Sequence, residues 1–226
     1  MARKPFTKSS LYQRLRAVRH GVIIVIGTGQ WGKTVSVHSL IHSGAFPGRN
    51  VALVNYPPSF VKKHSYPDNY RAVKWPEDLT ELPWVIRPSE DVVVLDDAIF
   101  LAGARDSTTR ENKAMQKLMT IASHHELFII LTIQNSSLLD IGMMQSQDVY
   151  MLHKNMDTLS LQWERPEIIN RQVVANSMLS RYMRDYPQVH PKAWTYSSTT
   201  HEMLSFPLPP WWQPPMSKPF YGVVPS

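Results

Sequence analysis

The chain has 226 residues, enough to bury one sizeable core, and its 43% hydrophobic and 19% charged residues are those of a globular protein. Its longest unbroken apolar runs are far too short to cross a bilayer, and its N-terminus lacks the apolar stretch of a signal peptide, so neither a membrane span nor export by that route is expected. It holds no cysteine, which excludes disulfides and thiolate zinc sites and fits a reducing cytoplasm.

Charge is unevenly placed. Residues 1–20 carry Arg3, Lys4, Lys8, Arg14, Arg16 and Arg19 and no acid, so this arm alone matches the net +6 of the whole chain. Leu11, Leu15 and Val18 fall at helical spacing among the arginines, the pattern of a basic amphipathic helix. Such an arm suits a phosphate backbone, an acidic protein or anionic lipid heads, or is simply solvated.

Residues 21–188 read as one α/β unit. GVIIVI at Gly21–Ile26, NVALVN at residues 50–55, DVVVL at Asp91–Leu95 and LFIILTI at residues 127–133 are short, continuous apolar runs, the signature of parallel strands covered on both faces. A fifth, weaker run occupies residues 148–153. Helices are expected at residues 33–42, around residues 78–82, at residues 108–124 and at residues 166–184, the last opening on a proline, which costs a first-turn position no hydrogen bond. Alternating strand and helix implies a mainly parallel central sheet flanked by helices. Residues 189–226 read as a Pro/aromatic-rich tail. Seven prolines lie between residues 201 and 226, with Phe206, Trp211, Trp212, Phe220 and Tyr221 among them, for wrapping its own domain or docking on another surface.

Three polar constellations follow three of the apolar runs. The first is Gly27-Thr28-Gly29-Gln30-Trp31-Gly32-Lys33-Thr34, which fits G-x-x-x-x-G-K-[ST], directly follows GVIIVI and opens a helix at Lys33. Glycines let the main chain turn its N–H groups inward as an anion nest, and a helix N-terminus adds partial positive charge. All eight residues are therefore expected to hold the phosphates of ATP, with Lys33 on the β- and γ-phosphates and the Thr34 hydroxyl on Mg²⁺. The second is Asp96-Asp97, delivered at the carboxyl end of a buried strand, where ligands of open α/β sheets bind. Two adjacent carboxylates are costly without a cation, so Asp96 is assigned to Mg²⁺ and Asp97 to the attacking water. The third is Gln134, at the end of LFIILTI, placed to sense a γ-phosphate or position water.

In that order, GTGQWGKT, VVVLDD and a strand ending TIQN resemble the HerA–FtsK superfamily of ring-forming, DNA-translocating ATPases, over roughly residues 20–155. The small size resembles the genome-packaging ATPases of tailless, membrane-containing double-stranded DNA viruses, tectiviruses among them. The resemblance implies a P-loop fold of the RecA or HerA–FtsK type and a homo-oligomeric ring, a hexamer by analogy. It also implies sequence-independent passage of double-stranded DNA at a virion vertex, reached from the host cytoplasm, with the arm and tail free for vertex or membrane-associated virion proteins. Two departures matter. Many relatives carry glutamate where Asp97 stands, and an arginine near the third strand where this chain has Ser123-His124-His125. Arg105 and Arg110 are the candidates for an arginine acting on a neighbour's γ-phosphate, and Lys62-Lys63-His64 for a DNA contact. Two other classes share the loop: a small-molecule P-loop kinase, and a nucleotide-bound structural protein without turnover.

Overall fold

The computed structural model describes residues 6–54, 56–73, 91–96, 122, 124–136 and 148–217. The helices expected around residues 78–82 and over most of 108–124, and the candidate residues Asp97, Arg105 and Arg110, lie outside the described residues.

In chain order the elements are α1 (Ser10–Ala17), β1 (Gly21–Ile26), α2 (Lys33–Leu40), β2 (Asn50–Val54), α3 (Pro58–Lys63), β3 (Tyr70–Val73), β4 (Asp91–Leu95), β5 (Phe128–Ile133), β6 (Val149–His153), α4 (Thr158–Leu161), α5 (Pro166–Asp185), β7 (Trp194–Ser197) and β8 (Glu202–Ser205). The eight strands form one sheet in the order β3-β2-β4-β5-β1-β6-β7-β8. Neighbours are parallel from β3 to β6, and β7 and β8 add an antiparallel edge. The five apolar runs thus form the parallel centre, as their continuous hydrophobicity requires of strands buried on both faces.

Side chains alternate between those faces. Val22, Ile24 and Ile26 of β1 join Ile129, Leu131 and Ile133 of β5 in a cluster closed by Met156 and Ile168. Ile23 and Val25 face the other way, into a cluster with Phe6, Leu11, Leu15, Val37, Leu40 and Phe206. The basic arm therefore folds as the amphipathic helix that its spacing predicts. Leu11 and Leu15 are fully buried while its arginines stay outside.

The segment read as a tail from residue 189 differs from expectation, because β7 and β8 lie within it and extend the sheet. Short strands such as WTYS and EMLS carry no apolar run, and the pairing of β7 with β6, on which β8 then adds, is a long-range choice invisible to local pattern. Beyond them, Trp211 and Trp212 pack on the same cluster as α1. The helix expected at 33–42 keeps α-helical form to Leu40 and then widens into a π-type turn, Ile41–Ala45.

β8 also completes α1. An eight-residue helix is marginal alone, and its first N–H groups have no partner within the helix. The Ser9 hydroxyl accepts from Tyr12 N, and the Glu202 carboxylate accepts from Ser10 N at 2.9 Å and Leu11 N at 3.2 Å. Burial works against the charge of Glu202, but these N–H groups and the Ser10 hydroxyl hold its carboxyl below the usual range. Glu202→Ala is expected to cost about 1 kcal/mol of stability, as loss of a helix cap does. Urea unfolding checks this, and an unchanged midpoint would show that the cap contributes nothing.

Candidate active site

Register brings the candidate residues together. The last residue of β1, Ile26, pairs with Ile133 of β5 and His153 of β6, and Leu95 of β4 pairs with Leu131. The carboxyl ends of four neighbouring strands therefore lie along one edge, releasing Gly27, Asp96, Gln134 and Lys154 side by side.

The loop after β1 is the most constrained of these. Gly27 has φ +154° and Gly32 φ +76°, and a Cβ on Gly27 would stand 2.6 Å from Lys154 Cβ, so the loop cannot take this course with a side chain there. Gln30 also has positive φ, at 64°. Gly27 N donates to Ile133 O and Thr28 N to Asn155 O, which anchors the loop to the strands on either side. The Thr28 hydroxyl donates to Asp157 Oδ2 at 2.8 Å, and Asp157 also caps α4. Gly32 is left-handed and α2 starts immediately at Lys33, so the loop runs straight into a helix N-terminus. Lys33 is 6% exposed, and its ammonium is folded back onto the loop, donating to Gly27 O at 2.9 Å and Thr28 O at 3.2 Å. This geometry fits a phosphate group: a loop of main-chain N–H groups at a helix start, with a cation inside the curl.

Asp96 is 4% exposed, and three hydroxyls converge on it. Thr34 Oγ1 donates to Oδ2 at 2.8 Å, Tyr56 OH to Oδ2 at 2.9 Å, and Thr132 Oγ1 to Oδ1 at 2.6 Å. Hydrogen bonds to a carboxylate favour its ionised form, so a charge-bearing acid is kept next to the Thr34 hydroxyl. Oxygen donors of this kind fit Mg²⁺, which takes one or two protein ligands and fills the rest of its shell with water and phosphate. Among the described residues no three His, Asp or Glu side chains gather into a metal cage.

Gln134 leaves β5 beside this pair. Its Oε1 is 3.7 Å from where a Cβ on Gly29 would be, so the side chain lies over the loop. Two residues on, the Ser136 N–H and hydroxyl both donate to the buried Glu164 carboxylate, and Arg165 Nε donates to Ser136 O at 3.2 Å. Burial raises the Glu164 pKa against these bonds. The segment that carries Gln134 is thus held by the start of α5.

The structure therefore gathers the octapeptide, Asp96 and Gln134, and separates His64 from the group proposed for DNA. His64 is 7% exposed, packs on Phe60 with ring centroids 4.4 Å apart, and places Nδ1 3.3 Å from Gln213 Oε1. Lys62 and Lys63 remain exposed on α3. Sequence reasoning missed Thr132, Tyr56, Asp157, Lys154 and Glu164. Of these, only Thr132 left a trace, as the single polar residue within LFIILTI.

A Walker-type loop on a mainly parallel sheet with flanking helices defines a P-loop NTPase fold. No protein-family model and no curated protein matches the sequence. Solved structures do match. The DNA-packaging ATPase B204 from Sulfolobus Turreted Icosahedral Virus superposes with a TM-score of 0.52 at 14% identity, over 83% of this chain and 97% of that one. The genome packaging NTPase B204 from Sulfolobus turreted icosahedral virus 2 matches with a TM-score of 0.54 at 13% identity in its sulfate complex, over 84% of this chain and 97% of that one. Its AMPPCP complex gives 0.51 at 14% identity, over 84% and 98%. At such identities the likeness is one of fold.

Proposed function

We propose that this chain is an ATP-hydrolysing motor that moves double-stranded DNA into a preformed viral capsid. The observation that supports it is the meeting of Lys33, Thr34, Asp96 and Gln134 at the ends of β1, β4 and β5. The same fold in packaging NTPases solved with ATP-gammaS and AMPPCP adds to it.

On this reading the main chain of residues 27–34 cradles the phosphates, and Lys33 swings from its carbonyls to the β- and γ-oxygens. Thr34 and Asp96 would hold Mg²⁺, which would supply positive charge to offset that developing on the phosphate oxygens. Asp97 orients the attacking water and accepts its proton. The water oxygen bonds to the γ-phosphorus as the bond to the β-bridging oxygen breaks, leaving ADP and phosphate. Gln134, over the loop, registers whether the γ-phosphate is present. Arg105 and Arg110 reach a neighbouring copy's γ-phosphate in a ring of the HerA–FtsK kind, for which six copies is the reading.

DNA contacts are basic and indifferent to sequence, as a packaging motor requires, with Lys62 and Lys63 among them. Residues 21–188 serve as the motor domain of a tectivirus-like packaging ATPase. Residues 1–20 and 189–226 add the surfaces that meet vertex or membrane-associated virion proteins. The setting is the packaging vertex of the virion and the host cytoplasm during assembly.

The deciding measurement is ATP turnover with and without duplex DNA, together with particle mass in nucleotide. A motor is expected to turn over several-fold faster with DNA and to assemble beyond a monomer. A rate indifferent to DNA, with phosphate transferred to a metabolite, would make the chain a kinase. Tight nucleotide binding without turnover would make it a structural protein.

A further inference from the structure

A second buried cation lies beside the loop, and among the described residues no acid pairs with it. Lys154 directly follows β6 and is 1% exposed. Its ammonium donates to two main-chain carbonyls, Lys192 O at 2.8 Å and Trp194 O at 2.9 Å. Both ends of the glycine loop rest on this arrangement. The Lys154 Cβ occupies the space that a side chain at Gly27 would need. The Lys192 carbonyl that its ammonium holds lies 3.2 Å from where a Cβ on Gly32 would be.

Carbonyl dipoles satisfy the donors of a buried ammonium but do not balance its charge, and a buried charge without a counter-ion is strongly disfavoured. Among the described residues, the charged and titratable groups near Lys154 supply no such balance. Lys33 on α2 has the same sign. His153, next in the chain, is held neutral by burial, and α5 presents the uncharged Gln172, whose Nε2 donates to Lys154 O at 2.8 Å. Asp157, three residues on, stays ionised through bonds from Ser160 and Thr28, but it is exposed, where water screens its charge. Lys192 contributes its main-chain carbonyl.

We propose that Lys154 is a charge-balancing and positioning residue of the phosphate site, whose missing countercharge is the phosphate of the nucleotide itself. This rests on the reading of residues 27–34 as a phosphate loop. Lys154 acts across the loop rather than by touching the ligand, because its donors are directed at residues 192 and 194. Burial, and then the charge of Lys33, pull its pKa down to about 7 in the empty site. An anion in the loop raises that value again, since an opposite charge favours the protonated amine. Binding therefore takes up protons above about pH 7, and affinity falls as pH rises through the window between the empty and the occupied pKa.

Calorimetry of MgADP binding to the full chain, in HEPES and in Tris from about pH 7.5 to 9, reads both quantities. The wild type is expected to take up part of a proton and to lose about tenfold in affinity for each unit by which the Lys154 pKa shifts on binding. Lys154→Arg keeps donors and charge but does not titrate in this range, so it should bind without that uptake and with a flat pH profile. Lys154→Met should bind about tenfold or more weakly and also take up no extra proton. A purely structural lysine would give the same proton count in wild type and Lys154→Arg, and that result overturns the proposal. So does a wild-type affinity that does not change with pH, which decides the matter even if neither variant folds. The underlying reading fails in a different way: the wild type binds no nucleotide, or Lys33→Ala binds as tightly as the wild type.

Discussion

Lys33→Ala is expected to lower ATP turnover about a thousandfold while the protein stays folded. The size of the effect follows from what a fixed cation does for phosphoryl transfer: removing one preorganised group that stabilises transition-state charge costs about two to three orders of magnitude, and removing a full positive charge reaches three to five. Lys33 is buried within the curl of the loop, so on the proposed reading its ammonium, once swung from Gly27 O and Thr28 O, meets the phosphates with little screening by water. The structural cost is smaller. Two loop carbonyls lose a donor, an effect of about 1 to 2 kcal/mol that a shift in melting temperature of a few degrees would report. Steady-state turnover beside a thermal melt separates the two. Turnover within tenfold of wild type in a folded variant would remove Lys33 from the chemistry.

Acid is expected to weaken the fold well before general acid denaturation, by about 4 kcal/mol between pH 7 and pH 5. Two fully buried histidines produce this. His38, on α2, is ringed by Tyr66, Tyr70, Trp211 and Trp212 at centroid distances of 5.3 to 5.8 Å, and neither ring nitrogen has a hydrogen-bond partner among the described residues. Burial lowers its pKa to about 3. His153 lies between Gln172 Oε1 and Ser198 Oγ, both at 2.8 Å, and burial lowers its pKa to about 4.

Both folded values lie below the unfolded value of 6.5, so the unfolded chain binds the protons first. Stability is complete above pH 6.5 and is lost as pH falls toward the folded pKa values. Each histidine contributes about 2 kcal/mol of loss by pH 5, at about 1.4 kcal/mol per unit. Glu164, whose carboxyl is raised by burial, opposes this over part of the same range, so the test is the difference between proteins. Urea midpoints at pH 7 and pH 5 should converge by about half in His38→Phe. A His38→Phe protein as acid-sensitive as the wild type would show that His38 does not titrate on unfolding.

How much of this was readable in the sequence depends on how local each feature is. β1, β2, β4, β5 and β6 are legible because a parallel strand covered on both faces is apolar at most positions, and a run such as GVIIVI leaves no competing pattern. The octapeptide is legible because phosphate binding demands glycine, lysine and hydroxyl at set spacings along one stretch of chain. β3 is not, since its YRAV includes Arg71, whose guanidinium reaches past β2 to the buried Asp91 at the start of β4, 2.9 Å away. β7 and β8 are equally silent, having four residues each and lying among prolines and aromatics that read as tail.

The same limit applies within the site. Thr132 meets Asp96 only because Leu95 pairs with Leu131, and Tyr56 meets it only because β2 lies next to β4. Register and strand order are properties of the assembled sheet. Lys154 is the extreme case, because in sequence it has the appearance of an ordinary surface lysine, and its burial follows from residues 192–194 closing over it.

The link between Glu202 and α1 also has a consequence for biogenesis. The two ends of that contact are 192 residues apart in the chain, so α1 leaves the ribosome long before its cap has been translated. A helix of eight residues does not persist unaided in water. The apolar side of α1 and the strands it will cover therefore stay exposed while most of the chain is synthesised, the period in which nascent chains self-associate. A delay in finishing translation, or a break before β8, would leave an exposed greasy arm studded with arginines, which is a substrate for chaperones rather than a folded protein.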